Sequence, residues 1–349
     1  EALAPPRYAD EARPVVLLNR APSLHRYNIL AFEALSRADD EAAIGLHPLV
    51  CGMFAADFDG DTIAVHLPVL PASVEDARRC FPSRHLWSIA TGRLNLHLVQ
   101  DLVSGAFVGA SSAGGLAELG GILGRTFATS PTKADLVQAV DDLLRQKGPD
   151  ALDNVQKLMR WAFAKATSAG LTVGLFDVAA LAVAATSGVA AVGKRLETAL
   201  AGTPPNPVSV LVLSGARGDT ATIAELASGR DVKGPKGRKL SDPDTPSFLE
   251  GLSPFGLFKS GFDARKAMVD KKISVALAGD LTRRLVEAGY PIVVRAKDCG
   301  GGRGISLERD PGVKGAKRTF VDRLRGRVAA EDVKDGETIL VGKGSVIDP

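Results

Sequence analysis

Cysteine is scarce in this chain. Its 349 residues include three cysteines, Cys51, Cys80 and Cys299, and no two of them form a CxxC pair. A structural zinc site is usually built from such closely spaced pairs, and a disulfide framework needs several cysteines in a short chain. We therefore expect no closed zinc site within this chain and no disulfide framework. This use of cysteine favours a reducing, cytoplasmic setting.

Long apolar runs are also missing. The most apolar stretch, residues 170–192, is interrupted by Asp177, Thr186 and Ser187, whereas a membrane-spanning helix needs about 20 consecutive apolar residues. Residues 1–6 lack the basic and apolar regions of a signal peptide, so we predict none. Hydrophobic residues make up 45% and charged residues 24%, which is typical of a globular protein with a buried core and no membrane partner.

Neither sign of charge dominates, since 43 Lys and Arg residues face 40 Asp and Glu residues and the net charge is +3. The basic residues are concentrated in the segments 217–284 and 295–327. Local basic stripes of this kind suit contacts with phosphate groups. A solvated basic surface produces the same pattern, so charge alone leaves both interpretations open.

Periodicity and turn residues divide the chain into segments. Strand-like patterns occur at 14–18, 42–53, 62–69 and 208–213, the last of which is a strand or another buried segment. Helical periodicity marks 132–147, 151–169, 173–200 and 253–288. The break at 202–207, rich in proline and glycine, is the clearest internal boundary. This mixture predicts an α+β fold that begins with a compact β unit.

The sharpest local signal is an acidic loop at residues 56–61. It places Asp57, Asp59 and Asp61 at every second position, so that in extended or tightly turned backbone their side chains point the same way. Gly60 allows the backbone to turn. Three hard oxygen ligands that converge on one point suit Mg²⁺.

Other interpretations of this loop exist. A calcium loop of the EF-hand type fails on spacing, because Thr62 stands where glycine is needed and Pro68 where glutamate is needed. A solvent-exposed acidic turn is the usual meaning of a short DxD pattern. Against it, apolar strand-like segments flank the loop on both sides, and three like charges there repel unless a cation neutralises them. A metal site of an unrelated hydrolase stays open on local spacing alone.

A longer run of sequence surrounds the loop. Four motifs follow in order: VLLNRAPSLHR at 16–26, HPLV at 47–50, ADFDGD at 56–61 and AVHLP at 64–68. In order, spacing and identity they closely resemble the beta-prime (largest) subunit of bacterial RNA polymerase. The resemblance implies a double-psi β-barrel in which Asp57, Asp59 and Asp61 hold the catalytic Mg²⁺. It also implies that Arg20 lies near the ribose of the substrate or of the RNA end.

The resemblance continues beyond the first motifs. VQDLVSG at 99–105 contains Gln100, which the family places near the active site, and SGARG at 214–218 contains Arg217, which it places near the incoming triphosphate. ARK at 264–266 and LTRR at 281–284 mark the bridge helix. That helix would bring six basic residues close to nucleic acid: Arg265, Lys266, Lys271, Lys272, Arg283 and Arg284. On pattern alone, an ordinary solvated basic helix is the alternative.

Three departures from the family pattern stand out. Ala55 occupies the position of a family asparagine that helps to recognise the sugar, and Lys271 and Lys272 stand where small residues abut the nascent base pair. Cys299 matches one family zinc ligand, whereas the other three would lie beyond residue 349. We interpret Cys299 as a buried thiol.

The resemblance predicts five parts. They are a double-psi β-barrel active-site domain (1–110), a mostly helical domain leading to the secondary channel (111–207), a channel-side segment and loop (208–252), the bridge helix (253–290) and a small β-rich segment (291–349).

The implied activity is Mg²⁺-dependent, template-directed nucleotidyl transfer from NTPs to the RNA 3′ end, with a second Mg²⁺ arriving with the NTP. The implied partners are a beta-like subunit, further beta-prime chains carrying the clamp and trigger loop, a DNA template, the RNA transcript and a sigma-like factor. The compact segments resemble split subunits of jumbo bacteriophage polymerases, which implies location in the cytoplasm of a bacterial host or packaging in the virion, and plastids also split this subunit. Because no start methionine is present, a fragment of a longer chain stays open as an alternative.

Two other functions share part of this pattern. An RNA-dependent RNA polymerase of the double-psi-barrel type would contain the acidic loop, although we do not expect it to keep the motifs at 19–26 and 214–218. A non-catalytic scaffold derived from a polymerase would tolerate loss of an aspartate, whereas all three are present.

Overall fold

The computed structural model describes residues 13–35, 43–89, 91–98, 100–183, 188–227, 232–233, 239–240, 247–293, 295, 304–308 and 320–347. Cys299 and most of the polar loop at 233–246 lie outside the described residues. By its contacts the chain divides into two compact units. Unit 1 comprises Glu1–Val99, Asp141–Leu152 and Gly301–Pro349, and unit 2 comprises Gln100–Val140 and Asp153–Gly300. The five predicted domain boundaries stay predictions.

The elements of the described residues are as follows. The strands are β1 (Val15–Asn19), β2 (Ile29–Glu33), β3 (Ala64–His66), β4 (Val232–Lys233), β5 (Lys239–Leu240), β6 (Val333–Asp335) and β7 (Thr338–Val341). The helices are α1 (Cys51–Phe54), α2 (Pro71–Arg78), α3 (Gln100–Ser111), α4 (Gly115–Leu123), α5 (Lys133–Lys147), α6 (Leu152–Ala169), α7 (Leu175–Ala179), α8 (Gly188–Leu200), α9 (Pro207–Leu213), α10 (Thr220–Ala227), α11 (Pro254–Gly289) and α12 (Phe320–Leu324). The α+β class is confirmed.

A three-stranded antiparallel sheet with the order β2-β1-β3 forms the centre of unit 1. The central strand β1 has the sequence VVLLN, whose β-branched and leucine side chains suit a pleated, half-buried surface. Helix α2 packs on this sheet, where Ala77 joins Val15 and Ala31 in a buried cluster. The backbone N–H of Ala31 donates to the carbonyl of Cys80 at 3.0 Å and fixes the end of that helix against the sheet.

Two segments predicted as strand-like are helical. The 42–53 segment contains a 3₁₀ turn, Pro48–Val50, followed by α1. Its buried residues Leu49, Val50, Met53 and Phe54 recur with the helical spacing of three and four, and Pro48 at the first position favours a helix start.

The 208–213 segment is buried, as expected, but it is the helix α9. Its backbone is set by Asn206, whose Oδ1 accepts hydrogen bonds from the N–H groups of Val208 at 2.9 Å and Ser209 at 3.3 Å. Pro207 follows at the first helical position, where its fixed φ is already helical. An N-cap of this kind overrides the strand preference of the β-branched residues behind it.

Helices dominate unit 2. Leu181, Val192, Leu196, Val208 and Ile223 form a buried cluster to which α8, α9 and α10 contribute. Helix α3 approaches α6 closely at Gly105, since a Cβ at that position would fall on the carbonyl oxygen of Ala162. The predicted long helix is confirmed as α11, which has 36 residues and follows the N-cap Ser253, whose Oγ accepts a hydrogen bond from the N–H of Gly256 at 3.1 Å. Within the described part of the chain, every helix is too short or too polar to cross a membrane.

Candidate metal centre

The acidic loop lies between α1 and β3 in unit 1. Helix α1 ends at Ala55, which adopts the left-handed conformation with φ 49° and ψ 36° and turns the chain out of the helix. Gly60 has φ 113°, a value that side-chain-bearing residues rarely adopt, so glycine permits the turn within the loop. The chain then enters β3 at Ala64. These two turns leave Asp57, Asp59 and Asp61 on one exposed loop.

The three carboxylates converge. One oxygen atom from each of Asp57, Asp59 and Asp61 lies within 4.8 Å of the others. Opposite ligands of an octahedral Mg²⁺ are about 4.2 Å apart, because each oxygen lies about 2.1 Å from the ion. Small rotations of these exposed side chains would therefore bring the three oxygens to the spacing of Mg²⁺ ligands. Three carboxylates are also the type of donor that a hard divalent cation prefers. This convergence agrees with the sequence prediction, while the identity of any ion stays a prediction.

Arg20 also belongs to this group. Strand β1 ends at Asn19, which pairs with Ala64 at the start of β3, so Arg20 emerges beside the end of the loop. Its Nε donates to Asp61 Oδ2 at 2.8 Å and its Nη2 donates to Asp61 Oδ1 at 3.1 Å. Its Nη1 donates to the carbonyl of Phe54 at 3.3 Å. The structure thus brings together four predicted site residues from two separate motifs, at 16–26 and 56–61.

The electrostatic environments of the carboxylates differ. The hydrogen bond from Arg20 lowers the pKa of Asp61, and the backbone N–H of Asp57, which donates to Asp61 at 3.2 Å, acts in the same direction. The pKa of Asp59 is raised, first by a side-chain hydrogen bond with Asp57 and then by the negative charge of that group. The charged form of Asp59 is thus disfavoured by the neighbouring carboxylate of Asp57, whereas Asp61 already has a counter-ion in Arg20.

An open cleft of about 740 Å³ lies beside the loop. Ala55 and Asp57 line it together with His25 and Tyr27 and with the segment Arg93–His97. The backbone N–H of His97 donates to the carbonyl of Leu49 at 2.9 Å and so brings the 93–97 segment to the loop. This segment contains no sequence motif and its position depends on that contact, so it is not among the predicted site residues.

The other predicted site residues belong to unit 2. Gln100 is the first residue of α3 and is exposed. Arg217 is exposed in the turn after α9, between Gly215 and Gly218, which have φ 75° and 78°. The hydroxyl of Ser214 accepts from the N–H of Ala216 at 3.2 Å and holds this turn. Their predicted roles near the substrate stay predictions.

Of the six predicted basic residues of α11, Lys266 is half-buried and the other five are exposed. Arg265, Lys272 and Arg283 are separated by close to whole numbers of turns at about 3.6 residues per turn, so they share one face of the helix. Three of the six basic residues form ion pairs along the helix: Lys266 with Asp270 at 3.3 Å, Arg283 with Glu287 at 2.9 Å and Arg284 with Asp280 at 3.0 Å. Among the described residues, Lys271 and Lys272 form no such ion pair along the helix.

Comparison with known proteins gives this arrangement a family context. The family described as RNA polymerase Rpb1, domain 2, matches residues 8–81, which include Arg20 and the acidic loop. The chain is 31% identical over 93% of its length to the DNA-directed RNA polymerase subunit beta' of Pelotomaculum thermopropionicum. It is 29% identical over 93% of its length to that of Bdellovibrio bacteriovorus and 29% identical over 95% to that of Moorella thermoacetica.

The chain spans about one third of the length of these relatives, namely 34%, 30% and 36%. The alignment with the Pelotomaculum subunit runs over 409 residues, which is more than the 349 residues of this chain. The relative therefore contains segments, within the matched region, that are missing here. The resemblance found in the sequence is confirmed: this chain corresponds to a segment of the beta' subunit of DNA-directed RNA polymerase.

Proposed function

We propose that this chain supplies the Mg²⁺-binding catalytic loop of a DNA-directed RNA polymerase. The observation that supports the proposal best is the convergence of Asp57, Asp59 and Asp61 on one exposed loop, within the region that matches the polymerase family. Like charges repel, so we do not expect an acidic turn without a bound cation to hold three carboxylates within 4.8 Å of one another.

The aspartates would hold the ion through their carboxylate oxygens. When bound, Mg²⁺ would lower the pKa of the RNA 3′-hydroxyl and, with a second ion carried by the NTP, offset charge on the phosphates. Arg20, anchored on the carbonyl of Phe54, presents N–H donors at the edge of the loop. Arg217 would neutralise triphosphate charge, and Gln100 would contact substrate or RNA. The basic face of α11 would contact nucleic-acid phosphates.

We extend the proposal to the fold of the chain and to the partners that complete the enzyme. The sheet β2-β1-β3 would be part of a double-psi β-barrel, and α11 would be the bridge helix. A beta-like subunit, further beta' chains with the clamp and trigger loop, and a sigma-like factor would complete the enzyme. Its substrates would be a DNA template, the RNA end and NTPs, in the cytoplasm of a bacterial cell. The chain by itself would be inactive.

The test is template-directed RNA synthesis by the complete assembly purified through this chain. We expect Asp59→Ala, at matched assembly, to abolish Mg²⁺-dependent incorporation. Asp76→Ala is the matched control, because Asp76 is an exposed aspartate of unit 1 whose ion pair is with Arg79 on the same helix end. If the Asp59→Ala assembly transcribes as well as wild type, the chain is a scaffold rather than the catalytic subunit.

A further inference from the structure

Arg20 uses both oxygens of the Asp61 carboxylate. Its Nε lies 2.8 Å from Oδ2 and its Nη2 lies 3.1 Å from Oδ1, which is the paired geometry of a strong guanidinium–carboxylate contact. The N–H of Asp57 also donates to Oδ2, at 3.2 Å. Because a carboxylate oxygen has two lone pairs, Oδ2 has none left for a metal ion and Oδ1 has one.

We propose that Arg20 is an internal counter-ion that competes with the divalent cation for Asp61 and withdraws from this carboxylate when the cation binds. This inference rests on the proposed function, in which the three aspartates hold Mg²⁺. It assigns to Arg20 a positioning role on the loop itself, in addition to any contact with substrate.

The position of the guanidinium group supports the competition. Its contact with Asp61 joins residues 41 positions apart, and both side chains are only about one quarter exposed, at 21% and 24%. A cation placed among the three carboxylates would share Asp61 with a fixed positive charge. Repulsion between a divalent ion and a guanidinium group that share one carboxylate corresponds to roughly tenfold in affinity at the dielectric of water.

The anchor of Arg20 determines where it goes after release. Nη1 donates to the carbonyl of Phe54 at 3.3 Å, a contact that does not involve the acidic loop. Arg20 can therefore leave Asp61 and still stay at the rim of the site. The N–H groups on Nε and Nη2 then become free to donate to an oxygen of a nucleotide, so cation binding and substrate binding would be coupled through one side chain.

The first experiment measures binding of Mn²⁺, used as a paramagnetic substitute for Mg²⁺, to the full chain by electron paramagnetic resonance. We expect Arg20→Gln to bind Mn²⁺ roughly tenfold more tightly than wild type. Arg20→Lys keeps the charge but loses the paired contact, so its affinity should lie between the two. Arg78→Gln is the matched control, since Arg78 pairs with Glu33 at 3.3 Å on the sheet and should leave Mn²⁺ binding unchanged.

A second measurement follows Arg20 in the wild-type chain itself, and a variant serves only to assign its resonance. The Nε–H resonance of Arg20, assigned by its loss in Arg20→Lys, should shift when Mg²⁺ is titrated, because its acceptor is removed. If both Arg20 variants bind Mn²⁺ as weakly as wild type or more weakly, or if the resonance does not move at saturating Mg²⁺, Arg20 organises the loop rather than competing with the cation.

The two proposals fail in different ways. If wild type binds Mn²⁺ and Asp59→Ala abolishes transcription, the proposed function stands whatever Arg20 does. If wild type binds no divalent ion and Asp59→Ala transcribes normally, the catalytic proposal fails, and the inference about Arg20 fails with it.

Discussion

Ala55 is held in a conformation that suits glycine. At φ 49° and ψ 36° it is the one non-glycine residue with positive φ in the part of the chain that the structure describes. The left-handed conformation costs an L-residue about 1–2 kcal/mol, because its Cβ crowds the following carbonyl oxygen. It is maintained by hydrogen bonds that close the end of α1, from Ala55 N to Gly52 O at 3.2 Å and from Ala56 N to Cys51 O at 3.0 Å.

Ala55→Gly should therefore stabilise unit 1. Removing the crowding gains about 1–2 kcal/mol, and the greater freedom of glycine in the unfolded chain offsets about 0.5–1 kcal/mol of this. The expected net gain in the free energy of unfolding is about 0.5–1 kcal/mol. Ala56→Gly is the matched control at the next position, where φ is not positive. It should lose about 0.5–1 kcal/mol, because only the unfolded-state term remains.

The chain offers a specific fluorescence probe for this measurement. It contains two tryptophans, and Trp87 belongs to unit 1 while Trp161 belongs to unit 2. In a Trp161→Phe background, Trp87 alone reports the unfolding of unit 1 in urea. A gain of about 0.5–1 kcal/mol shifts the midpoint upward by a few tenths of a molar. If Ala55→Gly lowers the midpoint as Ala56→Gly does, the left-handed strain is absent and the reasoning is refuted.

Two further predictions concern packing and pH. Gly105→Ala should destabilise unit 2 by about 1–3 kcal/mol, because its Cβ would fall on the carbonyl oxygen of Ala162. In a thermal unfolding assay of both variants, Gly121→Ala, whose added Cβ meets nothing within 4 Å, should be neutral or stabilising; equal effects would contradict the packing argument. Burial lowers the pKa of His85 below its ordinary value of 6.5. As pH falls through 6.5, His85 therefore binds a proton in the unfolded chain before it does so in the folded chain, and the free energy of unfolding decreases. His85→Gln should flatten the dependence of the Trp87 midpoint on pH between about 7.5 and 5.5, and an unchanged slope would contradict this.

Much of the fold was predictable where short-range patterns suffice. The apolar, β-prone run of β1 and the periodicities of α5, α6 and α11 agree with the structure. Helix α9 was not recognised, because the decisive contact is a cap at Asn206 that lies in what reads as a loop break. The run of valines and leucines after Asn206 is compatible with a strand or with a helix, and its burial and the N-cap favour the helix.

The sequence by itself determined the chemistry of the site: three carboxylates at every second position, a glycine that lets them turn, and flanking motifs that resemble one polymerase family. Only the tertiary structure decided which residues meet that loop. The pairing of Asn19 with Ala64 brings Arg20 onto Asp61 across 41 positions, and the contact of His97 with Leu49 brings the 93–97 segment to the same cleft. Sequence spacing determines which side chains share a face when they are a few residues apart. Contacts between residues more than 40 positions apart in the sequence, such as Arg20 with Asp61, depend on strand register and on the path of the chain between them.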